Sequence, residues 1–530
     1  MKAYKILHLG VLALMLVSCN DDLLNPVPKD RLASDLFWET EDDAIYAANG
    51  IYSILGSQWR YTSMDAYSDL GHFILQWRAE SQIEKHTFDA SSNVVADEWT
   101  YYYTIIQAAS SFLDNADRVE HMNEELRSRL KAEAKTLRAF AYINLVMLYG
   151  DVPLVTTSLG VEEAKTFGRT PVSEIWDFIS RDLTSAAADL PVVQQESGRV
   201  TQGVALGLKA RAMLYAGRYQ EAKASARAVM ELGVHRIHDS YAELFDYAGE
   251  GATEIMFARQ YAQNLSPHSI FAFYTANSLY TQQCQVVPAK PLVDAYLMKT
   301  TGLPIEDPKS GFDPGNPYKD RDPRLRHSIY VSGDMLADGK VLNTLPGNGS
   351  GDDIRSSAEN VTPTGWYFRK YVSEADYANP WNCGVNLIYL RYAEILLTYV
   401  EASIELGGQE IDPSVLDALN ALRSRPDVDM PKVTSTEQTA LREILRRERM
   451  VELAMEGHRL YDIRRWRIAE AVIPGTVKGM TYENPDQPGT FVTVELTGYV
   501  KEFKPDRHYL WPIPFRELDL NKNLTQNTGY

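Results

Sequence analysis

Residues 201–232 restrict the possible architecture more tightly than any other stretch of the chain. Leu206, Ala210, Gly217, Tyr219, Ala222, Ala226 and Val229 stand at the offsets of a tetratricopeptide unit, two antiparallel helices joined by a short turn. Small side chains at 210, 222 and 226 let the two backbones approach closely, and Ala216-Gly217-Arg218-Tyr219 supplies the turn. Such a unit cannot bury its apolar face alone, so it requires stacked helical neighbours. Segments 132–153, 391–407 and 441–466 carry helical pairs of related character with poorer agreement in spacing.

Other helices read clearly. Ala44, Ile45, Ala48, Ile51, Tyr52 and Leu55 fall at helical spacing over 41–55, with Thr40 as N-cap. Long helices are predicted over 97–119 and 126–149, the second stopped by Gly150 and Pro153, and another over 171–189 opening at Pro171. The expected fold is all-α: a tetratricopeptide-like scaffold with helices about 41–55, 97–149, 171–232 and 387–466, and little sheet. Two stretches break the pattern, 57–96 and 259–386. Both are rich in aromatic residues and poor in periodicity, the second also in Gly, Pro and Asn, and they read as functional insertions.

The N-terminus reads as an export signal. Lys2 and Lys5 precede an apolar run from Ile6 to Val17, too short to span a bilayer comfortably. Leu16-Val17-Ser18-Cys19 looks like a lipobox, giving a signal peptide over 1–18 and a lipidated tether over 19–31, with Cys19 carrying the acyl chains. Asn20-Asp21-Asp22 is similar to the acidic tag of surface-exposed lipoproteins. Cleavage would remove the two lysines and take the net charge from −18 to −20. A chain this acidic repels phosphate backbones, which argues against nucleic-acid binding. Cys284 and Cys383 could pair or stay reduced, and the sequence leaves both open.

Catalytic signatures are missing. There is no His-Glu-x-x-His, no Gly-x-Ser-x-Gly and no phosphate loop, and the ten histidines show no metal-ligand spacing. Asp307, Asp313 and Asn316 match no calcium loop well and read as a solvated turn. Glu448 and Glu452 lie within the apolar stripe of Leu441, Ile444, Leu445, Val451 and Met455. Two carboxylates on one face could be a glycosidase pair. The favoured reading is structural, with Arg138, Arg391, Arg459 or Arg464 as partners holding helices in register. No cofactor or metal is expected.

Aromatic chemistry remains. A sugar ring has an apolar C–H face and a hydroxyl rim, so glycan binding needs flat rings flanked by polar groups. The first insertion offers Trp59, Tyr61, Trp77 and Arg78, with Arg60 alongside. The second offers Tyr274, Asn277 and Tyr280, with Trp366 and Trp381 beyond.

Several motifs together resemble the RagB/SusD family of nutrient-binding lipoproteins. They are Phe37-Trp38-Glu39-Thr40, Leu137-Arg138-Ala139-Phe140, Arg321-Asp322-Pro323-Arg324 and Arg391-Tyr392-Ala393-Glu394. Glu448-Arg449-x-x-Glu452-Leu453-x-x-Glu456-Gly457-x-Arg459-x-x-Asp462-Ile463-Arg464-Arg465-Trp466 is the most specific, and the tail from Pro512-Ile513-Pro514 to Gly529-Tyr530 closes the set. Pro426 after Arg425, and Thr528, depart from the pattern. The resemblance implies a SusD-like fold over 32–530. It also implies a lipid-anchored outer-membrane protein at the cell surface that binds an oligosaccharide, is not an enzyme, and delivers its cargo to a SusC-like TonB-dependent transporter. A peptide-capturing member of the same family, a surface glycoside hydrolase and a helical-repeat adaptor without a small ligand are the alternatives.

Overall fold

The structure, a computed structural model, describes residues 37–530 except 57, 281, 282, 359, 409 and 410. The leader, Cys19 and the tether lie outside the described residues. Helix α1 (Glu41–Ser53) begins at a capping box: the Thr40 hydroxyl accepts from the Asp43 N–H, and the Asp43 carboxylate accepts from the Thr40 N–H. There follow α2 (Asn93–Asn115), α3 (Glu124–Tyr149), α4 (Val172–Asp189), α5 (Gln202–Tyr215) and α6 (Tyr219–Glu231). Each of α2 to α6 packs on the next, and α1 lies against α2 and α3. Gly217 turns the chain between α5 and α6 with φ +71°, a conformation that side chains with a Cβ avoid. Ala210, Ala222 and Ala226 are fully buried between the pair, as their size requires.

The next neighbour of α6 is not the next segment of sequence. It is α7 (Tyr392–Leu406), on which α8 (Pro413–Arg423) and α9 (Gln438–Glu452) then pack. The second irregular stretch is therefore an insertion into a continuous helical stack. Among the described residues, eight strands, β1 (Gly71–Phe73), β2 (Ile255–Arg259), β3 (Val286–Pro288), β4 (Ile329–Tyr330), β5 (Tyr367–Phe368), β6 (Leu387–Arg391), β7 (Gly475–Glu483) and β8 (Phe491–Lys501), form antiparallel pairs only. β2 pairs with β6, Ile255 opposite Arg391 and Arg259 opposite Leu387, which clamps the insertion at its base. β1 pairs with β3, Gly71 opposite Pro288 and Phe73 opposite Val286. That second pairing joins the two irregular insertions to each other.

Two expectations need correction. The helix expected over 441–466 is broken: α9 ends at Glu452, and α10 (Arg459–Arg465) starts after a turn in which Met455 and Gly457 take φ +61° and +78°. These values are incompatible with a continuing helix. The hairpin β7–β8, 475–501, was not legible in the sequence. The proline-rich tail holds one short helix, Phe515–Leu520, with irregular segments on either side. Asn527 donates to the carbonyls of Tyr149 and Trp511 at 2.8 and 2.7 Å, and its Oδ1 accepts from Arg169. A side-chain amide thus does the work that a regular backbone ladder does elsewhere.

Candidate functional site

The β1–β3 pairing brings a strip of aromatic rings together where the two insertions meet. Phe273, in the short helix Ile270–Tyr274, sits at its centre, with Trp59 on one side and Trp381 on the other. Ring centroids are 5.3 Å apart for Trp59–Phe273 and 5.4 Å for Phe273–Trp381, both edge-to-face. Trp381 Nε1 donates to the Tyr280 hydroxyl, which ties two separate loops. The Trp381 loop is fastened in turn by paired backbone hydrogen bonds between His268 and Cys383 and by the Asn264–Asn382 contact. Trp381 is 43% exposed, and Trp77, next in sequence to Arg78, is 78% exposed. Tyr280 is half-buried. Exposed aromatic faces on rigid supports are the geometry that stacks on sugar rings.

The charged groups at the strip are spent internally. The Arg78 guanidinium lies 5.0 Å over the Trp59 ring and pairs with Glu80 at 2.7 Å. Glu80 also accepts from Trp59 Nε1 at 3.2 Å. Burial pushes the Glu80 carboxyl up, but Arg78 and its other donors outweigh this and hold it below the usual range. Arg60 is bound to Glu98 and stacked 4.1 Å over Tyr101. The strip therefore presents neutral rings rather than free cations.

Comparison with known proteins agrees with this architecture. Residues 45–214 match the family model described as starch-binding, associating with outer membrane. Residues 253–530, just over half of the chain, match the SusD family model. The chain belongs to the SusD family. A SusD-like carbohydrate-binding protein from Bacteroides fragilis has a similar structure, with a TM-score of 0.83 at 30% identity, covering 92% of this chain and all of that one. A laminarin-binding SusD-like protein has a TM-score of 0.72 at 22% identity over 93% of this chain and all of its own, which speaks to fold alone. The starch-binding protein SusD of Bacteroides thetaiotaomicron is 25% identical, over 82% of this chain and 78% of its own.

Not every aromatic residue expected at the site of this SusD-family chain can be there. Tyr61, Tyr274 and Trp366 are core residues, 8%, 0% and 2% exposed. Tyr61 packs on Tyr389, Tyr274 bonds to Thr62, and Trp366 Nε1 donates to Tyr318. Asn277 is buried too, and donates to the Gly351 carbonyl at 2.8 Å. Arg78 covers a face of Trp59, so that indole supports the strip more than it offers a platform. The residue missed from sequence is Phe273, the central ring. Nothing in Ile270-Phe-Ala-Phe-Tyr274 distinguishes it from its buried neighbours.

Glu448 and Glu452 are not an acid/base pair. Glu452, 0% exposed, accepts from Arg391 at 2.8 Å, Arg425 at 2.7 Å and Arg324 at 2.7 Å. Glu448 accepts from Arg324 and Arg423. Burial alone would raise the Glu452 carboxyl, yet Arg425, Arg391 and Arg324 together hold it far below the ordinary range, which disables it as a proton donor. Of the partners considered, Arg391 is one. Arg138 pairs with Asp182 and Arg459 with Asp69, while Arg464 pairs with neither glutamate. Asp313 accepts from Asn316 and the Gly315 N–H, and Asp307 from the Lys309 N–H, so both carboxylates close local turns. Among the described residues no cluster of three acidic, His or Cys side chains could hold a metal. Cys284 and Cys383 are buried and unpaired.

A cleft of about 1150 Å³ lies away from the strip, between the β7–β8 hairpin and the loops around Tyr318 and Leu345. Volume favours the cleft, whereas ring exposure and rigid support favour the strip. For a ligand held by stacking, exposure is the more direct criterion.

Proposed function

We propose that this protein is a cell-surface lipoprotein that captures oligosaccharides and delivers them to a SusC-like TonB-dependent transporter in the outer membrane. The observation that carries the glycan reading is the strip of Trp59, Phe273 and Trp381 at the joint between the insertions, with Tyr280 bonded to Trp381 and Trp77 exposed in the first insertion. Family membership supports the transporter as partner, and the Leu16-Val17-Ser18-Cys19 sequence supports a lipid anchor at Cys19. No described helix is long and apolar enough to cross a membrane. The protein binds and does not hydrolyse: its most enzyme-like carboxylates are neutralised by arginines. Because Arg60 and Arg78 are committed to glutamates, the preferred ligand is a neutral glycan.

Titration calorimetry of wild type and the triple variant Trp77→Ala/Tyr280→Ala/Trp381→Ala tests this, using neutral oligosaccharides, acidic oligosaccharides and peptides. The wild type should bind a neutral oligosaccharide with little salt dependence, and the triple variant should lose it. Undiminished affinity in the variant would move the site elsewhere, with the 1150 Å³ cleft next in line. Binding of peptides alone would replace the glycan reading, and turnover of a labelled polysaccharide would replace the binding-only one.

A further inference from the structure

Asp462-Ile463-Arg464-Arg465-Trp466 holds two neighbouring arginines with opposite fates. Arg465 is chelated by Glu401 and Asp462. Arg464 is 4% exposed, and among the described residues none of its three nitrogens has a hydrogen-bond partner and no carboxylate pairs with it. The other deeply enclosed arginines, Arg324, Arg391, Arg425 and Arg449, are all held by carboxylates. A buried guanidinium without a counter-charge is strongly disfavoured, so its isolation calls for a physical cause. Burial already pushes Arg464 down to about 10.

Its surroundings supply no available anion. His86 and His508 lie with their rings 5.3 Å apart, and burial, with the Arg464 charge adding to it, pushes both imidazoles down. His508 Nδ1 accepts from the Lys504 N–H at 3.0 Å, so the neutral ring carries its proton on Nε2, and that nitrogen is buried without a partner. His86 Nδ1 donates to the Glu84 carbonyl at 3.1 Å, which leaves its Nε2 an unpartnered acceptor. The phenols near Arg464 have committed their protons elsewhere: Tyr461 to Asn144, Tyr509 to Glu470 and Tyr530 to the Leu510 carbonyl. Nearby carboxylates are taken. Asp462 serves Arg449 and Arg465, and Glu84 serves His72 and Lys501. Asp506, on the same turn as Lys504 and Arg507, faces solvent. Phe88 and Phe503 wall the space around the two imidazoles.

We propose that Arg464 forms a buried binding site for a small monovalent anion of chloride size. The anion would supply the missing counter-charge where α10, the turn at His86 and the C-terminal segment meet, and so fix the tail to the scaffold. A purely aqueous filling would satisfy the hydrogen bonds but leave the charge unbalanced.

Crystals of the full chain soaked in sodium bromide test this directly. Anomalous diffraction at the bromine edge should show a peak within hydrogen-bond reach of Arg464. Water density there without an anomalous peak would overturn the proposal. In solution, replacing gluconate by chloride or bromide at fixed ionic strength should raise the thermal midpoint by a saturable shift. Arg464→Met should lose that halide dependence, and a wild-type midpoint indifferent to the anion, or a shift retained in the variant, would count against the site. Should Arg464→Met fail to fold, the wild-type bromide peak and halide titration decide alone.

Discussion

Replacing Glu452 by Gln removes one charge from the most connected buried carboxylate of the helical core. Glu452 Oε1 accepts from Arg391 and Arg425, and Oε2 from Arg324. A glutamine offers only one oxygen. Turned toward Arg391 and Arg425, it points an amide N–H₂ at Arg324, which keeps Asp322 and Glu448 as counter-charges. Turned the other way, it leaves two guanidiniums facing a donor, so the first orientation should prevail. Breaking a buried charge pair by removing one partner costs about 3–5 kcal/mol. Unfolding entropy of about 2.1 cal/mol/K per residue, over roughly 490 residues melting as one unit, is about 1 kcal/mol/K. The variant should therefore melt about 3–5 °C below wild type in calorimetry, if the chain unfolds cooperatively. Its affinity for any glycan bound by wild type should be unchanged, since the network lies in the core. An unshifted melting point together with lost ligand binding or lost glycan turnover would refute this reasoning and return Glu452 to a functional role.

Trp381→Ala and Trp77→Ala should each weaken an oligosaccharide by about 1–3 kcal/mol, the range for truncating an aromatic anchor, with melting nearly native; calorimetric titration that finds no change would remove that ring from the site. Trp366→Ala should do the reverse, costing stability by about 3–5 kcal/mol and leaving affinity intact, and equilibrium unfolding beside the same titration checks it. Acid should destabilise the fold over a defined window. Glu456 and Asp462 are buried, which raises them, yet Arg391 and Lys370, and Arg449 and Arg465 respectively, draw both down to about 2. Carboxyls depressed on folding contribute stability above their unfolded values of 4.5 and 3.8, and that contribution fades as pH falls toward 2. Urea midpoints should hold down to about pH 5 and then decline steadily, whereas a flat profile to pH 3 would contradict the assignment. Cys19→Ala should leave the protein unacylated and in the soluble periplasmic fraction, and retention at the outer membrane would disprove the anchor.

The local elements of this chain were written in its sequence, because their causes are local. Thr40 with Asp43, Gly150, and the alanines at 210, 222 and 226 act on neighbours a turn away, so caps and helix pairs could be read from spacing. The motif-bearing tail was legible in part for the same reason: Pro512 and Pro514 impose their own geometry, whereas Asn527 acts through the distant Tyr149 carbonyl. The break at Met455–Gly457 was not, since the apolar stripe with helical spacing runs up to Met455 itself. Only the folded chain shows that α9 must stop for α10 to pack. The sequence marked two insertions rich in aromatic residues but could not rank them. Tyr274 and Phe273 are adjacent and chemically alike, yet one is core and the other carries the strip. That choice depends on β1 meeting β3 across more than two hundred residues and on α6 meeting α7 across the whole insertion. Exposure is a property of such long-range contacts, and no single segment contains the information that sets it.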